Sequence, residues 1–122
     1  MEIQIDFDSD EALYIQLRNQ IIYGIATRQY QEGDSLPSVR SLADTIGINM
    51  HTVNKAYAVL RQEGLLRLGR RTGAVIAIDL DKLRAMEEMK DHLRLAVARG
   101  FCKGVTREEA HQIVDEIYSD YE

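Results

Sequence analysis

The chain has a single cysteine, a single proline and no long hydrophobic run, and these shortages exclude several classes of protein. Cys102 has no partner for an internal disulfide, and no second cysteine or paired histidine lies at the spacing of a zinc site. The apolar segments are all shorter than the roughly 18 residues that a membrane span needs. Five acidic residues and no basic one precede Ala12, which does not fit a secretory signal. We therefore expect a cytoplasmic protein without a metal site or a membrane partner, in which a structural role for the thiol is favoured over a redox sensor.

The length of 122 residues suits one modest core with a small appendage. It is too short for a DNA-binding domain joined to a large ligand-binding domain. Enzyme motifs are also missing, since there is no phosphate-binding glycine-rich loop and no nucleophile motif. The three histidines, His51, His92 and His111, are scattered along the chain. The sequence therefore predicts neither catalytic residues nor a cofactor.

The net charge of −5 at first argues against nucleic acid, but the charges are unevenly distributed. Residues 40–71 carry six basic side chains against the acidic Asp44 and Glu63, a local charge of +4, so the rest of the chain carries −9. Salt screens interactions beyond about 8 to 10 Å, and the local charge therefore governs contact with phosphates. This segment indicates a nucleic-acid-binding surface on an otherwise acidic protein.

The N-terminal residues predict an extended segment followed by a helix. Ile3, Ile5 and Phe7 alternate with polar residues, which indicates a short strand or an extended arm with one covered face. Residues 8–11 supply side chains that cap helices, and Leu13 begins the first long helix. Its apolar face is formed by Leu17, Ile21 and Ile25.

A helix-turn-helix pattern follows the only proline. Pro37 disfavours helix at the residue before it, and Ser38 is suited to cap a short helix over 39–46. Gly47 suits the left-handed residue that ends this helix, and Asn49 suits the cap of the next one. The inward face of that third helix has helical spacing in Val53, Ala56, Tyr57 and Leu60. Its open face near the N-terminus is left to Met50, His51, Thr52, Asn54 and Lys55.

A basic hairpin is predicted next. Segments 65–68 and 74–78 are mainly apolar and indicate two strands, with residues 69–73 as the tip between them. Arg70 and Arg71 lie within that tip. A domain of this shape places its third helix, the recognition helix, in the major groove of DNA. Its hairpin lies against the flanking backbone. The sequence therefore predicts binding to double-stranded DNA.

The order of these motifs closely resembles the winged helix-turn-helix domain of the GntR family of bacterial transcription regulators. The resemblance rests on Leu-Pro-Ser-Val-Arg at 36–40, Gly-Ile-Asn at 47–49 and the arginine-rich hairpin. The helices after the hairpin are similar to those of the YtrA-type subfamily, in which they mediate dimerisation. The wing of the family commonly has the pattern Gly-basic-Gly-Thr-aromatic, whereas residues 69–73 here are Gly-Arg-Arg-Thr-Gly. We therefore expect the tip to contact the DNA backbone differently.

The resemblance implies that Arg40 binds a phosphate or a base edge. It also assigns the recognition positions to Met50, His51, Thr52 and Asn54. Some alternatives stay open, because Arg40 is also spaced for an ion pair with Asp44. Asn49 suits a helix cap better than base recognition, and an exposed His51 is also explained by solvation alone. Taken together, the predicted DNA-binding residues are Ser38, Arg40, Asn49, Met50, His51, Thr52, Asn54, Lys55, Arg70, Arg71 and Thr72.

Two further amphipathic helices are predicted after the hairpin. The first has an apolar face that ends at Gly100, and Thr106 with Glu109 forms a capping box for the second. Two such faces add more apolar surface than a small domain readily covers, which favours a dimer interface over packing onto the chain's own core. The predicted dimerisation residues are Leu83, Met86, Met89, Leu93, Val97, Ile113, Val114 and Ile117.

We thus expect a mostly α fold with a small β-hairpin wing. Residues 1–78 would form a winged helix-turn-helix DNA-binding domain, and residues 79–122 a helical dimerisation region. The leading hypothesis is a homodimeric, sequence-specific regulator of an inverted-repeat operator, and the resemblance implies a repressor. The alternative is a winged helix that binds another protein, which the overall acidity favours. A small-molecule effector of unidentified chemistry would have to act by changing the dimer.

Overall fold

Five helices and one two-stranded antiparallel hairpin make up the secondary structure of residues 2–122, the part that the structure, a computed structural model, describes. The chain divides after Asp79 into two units. The first unit holds three helices and the hairpin, and the second, Leu80–Glu122, holds the other two helices. The mostly helical fold with a β-hairpin wing that the sequence predicts is confirmed.

The first helix, α1 (Leu13–Ala26), is joined to the N-terminal arm by a buried glutamine. The Gln16 side-chain oxygen accepts a hydrogen bond from the Asp6 N–H at 2.9 Å. Its amide nitrogen donates to the carbonyl oxygens of Asp6 and Glu11 at 3.0 and 2.9 Å. A primary amide offers both a donor and an acceptor, so this one side chain satisfies backbone groups as a neighbouring strand would.

The arm differs from the sequence prediction in two respects. It is extended but forms no β-strand within the described residues, and only Ile3 and Ile5 pack against the core, whereas Phe7 is 62% exposed. The predicted cap from residues 8–11 is wrong, because α1 begins after Ala12 with no side-chain cap. The side chains of Asp6 and Ser9 accept hydrogen bonds from N–H groups of the loop before the helix instead.

The second and third helices begin at the predicted caps. Before α2 (Val39–Ile46), the Ser38 hydroxyl accepts a hydrogen bond from the N–H three residues later at 3.1 Å. Gly47 ends α2 with φ of 72°, a left-handed conformation that glycine adopts without steric cost. Before α3 (Met50–Gln62), the Asn49 side-chain oxygen accepts from the N–H two residues later at 2.7 Å. Local interactions therefore determine where α2 begins and ends and where α3 begins.

The core of the first unit is built around Tyr57, which is 2% exposed. Its hydroxyl donates a hydrogen bond to the Pro37 carbonyl oxygen at 2.8 Å and so ties α3 to the segment that precedes α2. Burial is the main cause that raises the pKa of the Tyr57 phenol above its usual value, and the neighbouring Tyr30 charge adds to it. The core also contains Leu17, Ile21, Leu36, Leu42, Ala43, Val53, Ala56, Leu60, Leu66, Ala74 and Ile76.

The hairpin consists of β1 (Leu66–Gly69) and β2 (Gly73–Ile76). Both glycines belong to the strands and pair with each other, so the tip is only residues 70–72 and is shorter than predicted. The other edge of β2 is paired too, because the Leu36 N–H donates to the Ala74 carbonyl oxygen at 2.8 Å. This contact anchors the hairpin to the loop before α2.

The second unit consists of α4 (Lys82–Cys102) and α5 (Arg107–Ser119). The prediction that α4 ends at Gly100 is wrong, since the helix continues for two more residues. Gly104, with φ of 87°, takes the left-handed conformation after the helix. At the start of α5, the capping box forms as predicted, with Thr106 and Glu109 exchanging hydrogen bonds of 3.0 and 3.2 Å. These bonds lower the pKa of the Glu109 carboxyl.

Candidate nucleic-acid interface

The N-terminal half of α3 turns one face to the core and the other to solvent. His51, Asn54 and Lys55 are exposed, Thr52 is half-buried and Met50 is 43% exposed. The opposite face carries the buried residues Val53, Ala56, Tyr57 and Leu60. Since core packing fixes the rotation of the helix, the five residues predicted for its outward face form one continuous surface.

Two open grooves border this surface. The first has a volume of about 600 Å³ and is lined by Val39, Asn49, Met50, His51 and Asn54. The second has a volume of about 320 Å³ and is lined by Leu13, Tyr14, His51, Thr52 and Lys55. His51 lines both grooves and so lies at the boundary between them. Each groove is lined by both polar and apolar residues.

Lys55 is held against an aromatic ring of α1. Its Nζ lies 4.1 Å from the centroid of the Tyr14 ring, which is the geometry of a cation–π interaction. The ring restricts a side chain that would otherwise be freely mobile. The contact between Tyr14 and Lys55 was not predicted from the sequence, because two residues so far apart in the chain leave no spacing pattern that reports their contact.

Two of the predicted DNA-binding residues have local structural roles. The side-chain oxygens of Ser38 and Asn49 accept the capping hydrogen bonds at the starts of α2 and α3. Both residues are nevertheless exposed. As N-cap residues, they determine where the first turns of the two helices begin. The interpretation of Asn49 as a helix cap is therefore confirmed.

Arg40 lies in the first turn of α2 and is exposed. The alternative role as an ion-pair partner of Asp44 is not realised, since the two ion pairs within residues 2–122 join Arg18 with Glu63 and Arg84 with Glu88. The Arg40 guanidinium, with its five N–H donors, is therefore available to an external acceptor such as phosphate.

The tip of the hairpin presents Arg70, Arg71 and Thr72, all three of them exposed. They follow the last strand pair, Gly69 opposite Gly73, and so lie at the outer end of the wing. Both edges of β2 are hydrogen-bonded, so the hairpin that carries these side chains is attached to the loop before α2. The arrangement suits contact with an extended, negatively charged backbone.

Neither a metal site nor a membrane segment is found in the part of the chain that the structure describes. No group of three His, Cys, Asp or Glu side chains in residues 2–122 is placed to hold a metal ion. None of the described helices is long and apolar enough to cross a membrane. Cys102, at the end of α4, is a free and exposed thiol.

The second unit exposes apolar side chains along both of its helices. Neither α4 nor α5, which lie wholly within the described residues, contains a buried residue. The exposed large apolar side chains of the two helices include Leu83, Met86, Met89, Leu93, Leu95, Val97, Phe101, Ile113, Val114, Ile117 and Tyr118. All eight residues predicted for dimerisation belong to this set.

The fold and the surface define a winged helix-turn-helix domain, a class of DNA-binding domain. The family model described as bacterial regulatory proteins, gntR family, matches residues 11–76. The chain therefore belongs to the gntR family of bacterial regulatory proteins. It is a DNA-binding transcriptional regulator and not an enzyme.

Individual relatives agree with this assignment. The chain is 33% identical over 121 residues to the HTH-type transcriptional repressor YtrA of Bacillus subtilis (strain 168), which covers 97% of this chain and 93% of that protein. Among solved structures, a transcriptional antiterminator from Listeria monocytogenes EGD-e is 29% identical with a TM-score of 0.87, covering 99% of this chain and 92% of that one. YtrA from Sulfolobus acidocaldarius, a GntR-family transcription factor, is 35% identical with a TM-score of 0.68, covering 82% and 97%.

A solved complex with DNA is also similar to this chain. AraR(DBD) in complex with operator ORE1 is 26% identical with a TM-score of 0.52 and covers 62% of this chain and 94% of that one.

Proposed function

We propose that this protein is a homodimeric, sequence-specific repressor that binds an inverted-repeat operator. The observation that carries the proposal is the exposed face of α3, whose polar and basic side chains lie on a helix fixed by the core. Repression is supported by the similarity to the YtrA repressor of Bacillus subtilis. Because its target is DNA, the protein acts in the cytoplasm.

Arg40 and the hairpin tip supply the non-specific part of binding in this proposal. Arg40, Arg70 and Arg71 are exposed and bear charges that suit phosphate oxygens. The recognition positions Met50, His51, Thr52 and Asn54 supply the specific part, and Lys55 beside them binds phosphate. Ser38 and Asn49 cap the helices that carry Arg40 and the recognition positions. Thr72 lies beside the two arginines at the hairpin tip. The complex of AraR(DBD) with operator ORE1 supports operator binding by a domain of this fold.

The apolar faces of α4 and α5 form the dimer interface in this proposal. Neither helix buries a residue within the described single chain. Covering these faces would stabilise a complex by about 25 cal/mol for each square ångström of apolar surface removed from water. A second copy offers the same faces and covers them by two-fold symmetry. Such a dimer presents two α3 helices about 34 Å apart, or a multiple of this distance, and so requires an inverted repeat.

The deciding experiment is selection of random duplex DNA by the full 122-residue chain at physiological salt. We expect an enriched inverted repeat whose binding is lost with Arg40→Ala. Absence of any sequence preference would contradict the proposal and would favour a winged helix that binds a protein partner. The same assay with candidate metabolites tests the effector, because unchanged affinity leaves control by occupancy alone.

A further inference from the structure

Met50 is an exposed apolar side chain on a surface that is otherwise polar. It is 43% exposed in the first turn of α3, and the groove beside it is also lined by Val39 of α2. Contact between an exposed methionine and another apolar group removes apolar surface from water and so lowers the free energy. The thymine methyl is the only apolar group that base edges present in the major groove of unmodified DNA. The two apolar side chains of this groove therefore match thymine.

Asn54 is the free amide of the same groove. The side-chain oxygen of Asn49 is already used, because it accepts the capping hydrogen bond from the His51 N–H at 2.7 Å. Asn54 is exposed and lines the groove one helical turn after Met50. An amide that presents one donor and one acceptor together matches the N7 acceptor and N6 donor of adenine.

From this juxtaposition we infer that each operator half-site contains a thymine bound by Met50 and an adenine bound by Asn54. The inference rests on the proposed function and adds the base identities to it. The two residues are four positions apart, about 6 Å along the helix. Since successive base pairs are about 3.4 Å apart, the thymine and the adenine lie within two base-pair steps of each other. Met50 and Asn54 are thus specificity-determining residues for A·T pairs.

Base analogues test each contact without changing the protein. Within the selected operator, each thymine of one half-site is replaced in turn by deoxyuridine, which lacks only the methyl group. Each adenine is replaced in turn by 7-deazaadenine, which lacks only the N7 acceptor. Binding of the full chain is measured by fluorescence anisotropy at constant salt. We expect about fourfold weaker binding at one thymine position and at least about fivefold weaker binding at one adenine position.

Two variants assign each loss to its residue. Met50→Ala should bind the thymine and deoxyuridine operators equally while keeping its sensitivity to 7-deazaadenine. Asn54→Ala should show the reverse pattern. Both side chains are exposed, so the core stays intact in either variant. Gln62→Ala, an exposed position at the other end of α3, serves as the control that keeps both sensitivities.

The outcomes separate this inference from the proposed function. Sequence-specific binding that is indifferent to every deoxyuridine, or to every 7-deazaadenine, would overturn the inference and leave the regulator assignment standing. A Met50→Ala variant that remains as sensitive to the thymine methyl as the wild type would also overturn it. Absence of sequence-specific binding by the wild type would overturn both.

Discussion

Lys55 Nζ lies 4.1 Å above the ring of Tyr14, so a residue of α3 is held by a residue of α1. Tyr14 is half-buried, and Lys55 is exposed on the outward face of α3. The contact directs the ammonium group along one side of α3, beside the groove that Thr52 and His51 also line. A positioned charge loses less side-chain entropy on binding phosphate than a free one.

Replacing Tyr14 should therefore weaken operator binding through Lys55. An exposed cation–π contact is worth about 0.5 to 1 kcal/mol. We expect Tyr14→Leu to weaken binding about two- to fivefold, and Tyr14→Phe, which keeps the ring, to bind like the wild type. In a Lys55→Ala background the Tyr14→Leu change should have no further effect on affinity. Equal losses in both backgrounds would show that Tyr14 acts on the fold and not on Lys55.

The hairpin arginines should determine how steeply binding depends on salt. Each phosphate contact contributes about −0.9 to the slope of log K against log salt. We expect Arg70→Ala or Arg71→Ala to reduce the magnitude of the slope by about one per protomer, and so by about two for a dimer. The control is Lys103→Ala, which removes the same charge from the exposed end of α4. An unchanged slope in both arginine variants would contradict the wing assignment.

Removing the Tyr57 hydroxyl should destabilise the first unit. In Tyr57→Phe the Pro37 carbonyl oxygen loses its 2.8 Å donor in a partly buried site. We expect a loss of about 1 to 2 kcal/mol in the free energy of unfolding, measured by urea denaturation. Tyr23→Phe is the matched control, because Tyr23 is 56% exposed and lies outside the core. A loss of the same size in both variants would argue against a specific role for this hydrogen bond.

The same hydroxyl should make the stability fall at alkaline pH. The pKa of Tyr57 is raised in the folded protein by burial and then by Tyr30, from about 10 in the unfolded chain. Its contribution is therefore complete below pH 10 and is lost as the pH rises above that value, by up to about 1.4 kcal/mol per pH unit. We expect urea denaturation between pH 9 and 11, roughly the range of tyrosine ionisation, to show a shallower decline for Tyr57→Phe than for the wild type. Parallel declines would mean that other groups dominate the alkaline unfolding.

The apolar face of α4 should control the oligomeric state. Leu93 lies on the predicted dimerisation face, whereas Leu95 lies about 160° away around the helix. We expect Leu93→Asp to shift the protein from dimer to monomer in analytical ultracentrifugation, because an unpaired carboxylate is costly in an apolar interface. Leu95→Asp introduces the same change on the other face and should leave the dimer intact. A dimer that survives both changes would place the interface elsewhere.

Much of the candidate site was predictable because its positioning is local. Ser38, Gly47 and Asn49 each bond or turn within a few residues of themselves, so their side chains alone indicate where α2 and α3 begin and end. The outward face of α3 then follows from the 3.6-residue period of its buried residues. Local preference was not sufficient before α1, where the Ser9 hydroxyl accepts a hydrogen bond from the Glu11 N–H within the loop and the N-cap residue, Ala12, has no capping side chain.

The sequence by itself determined the helices, the wing and the family, because periodicity, caps and motif order are properties of neighbouring residues. Only the tertiary structure decided which distant groups meet. It paired Lys55 with Tyr14, placed Val39 beside Met50 in one groove, and joined the Gln16 amide to the backbone of the arm. Such contacts arise when several elements pack on one core. Their partners are chosen by geometry in space and not by spacing along the chain.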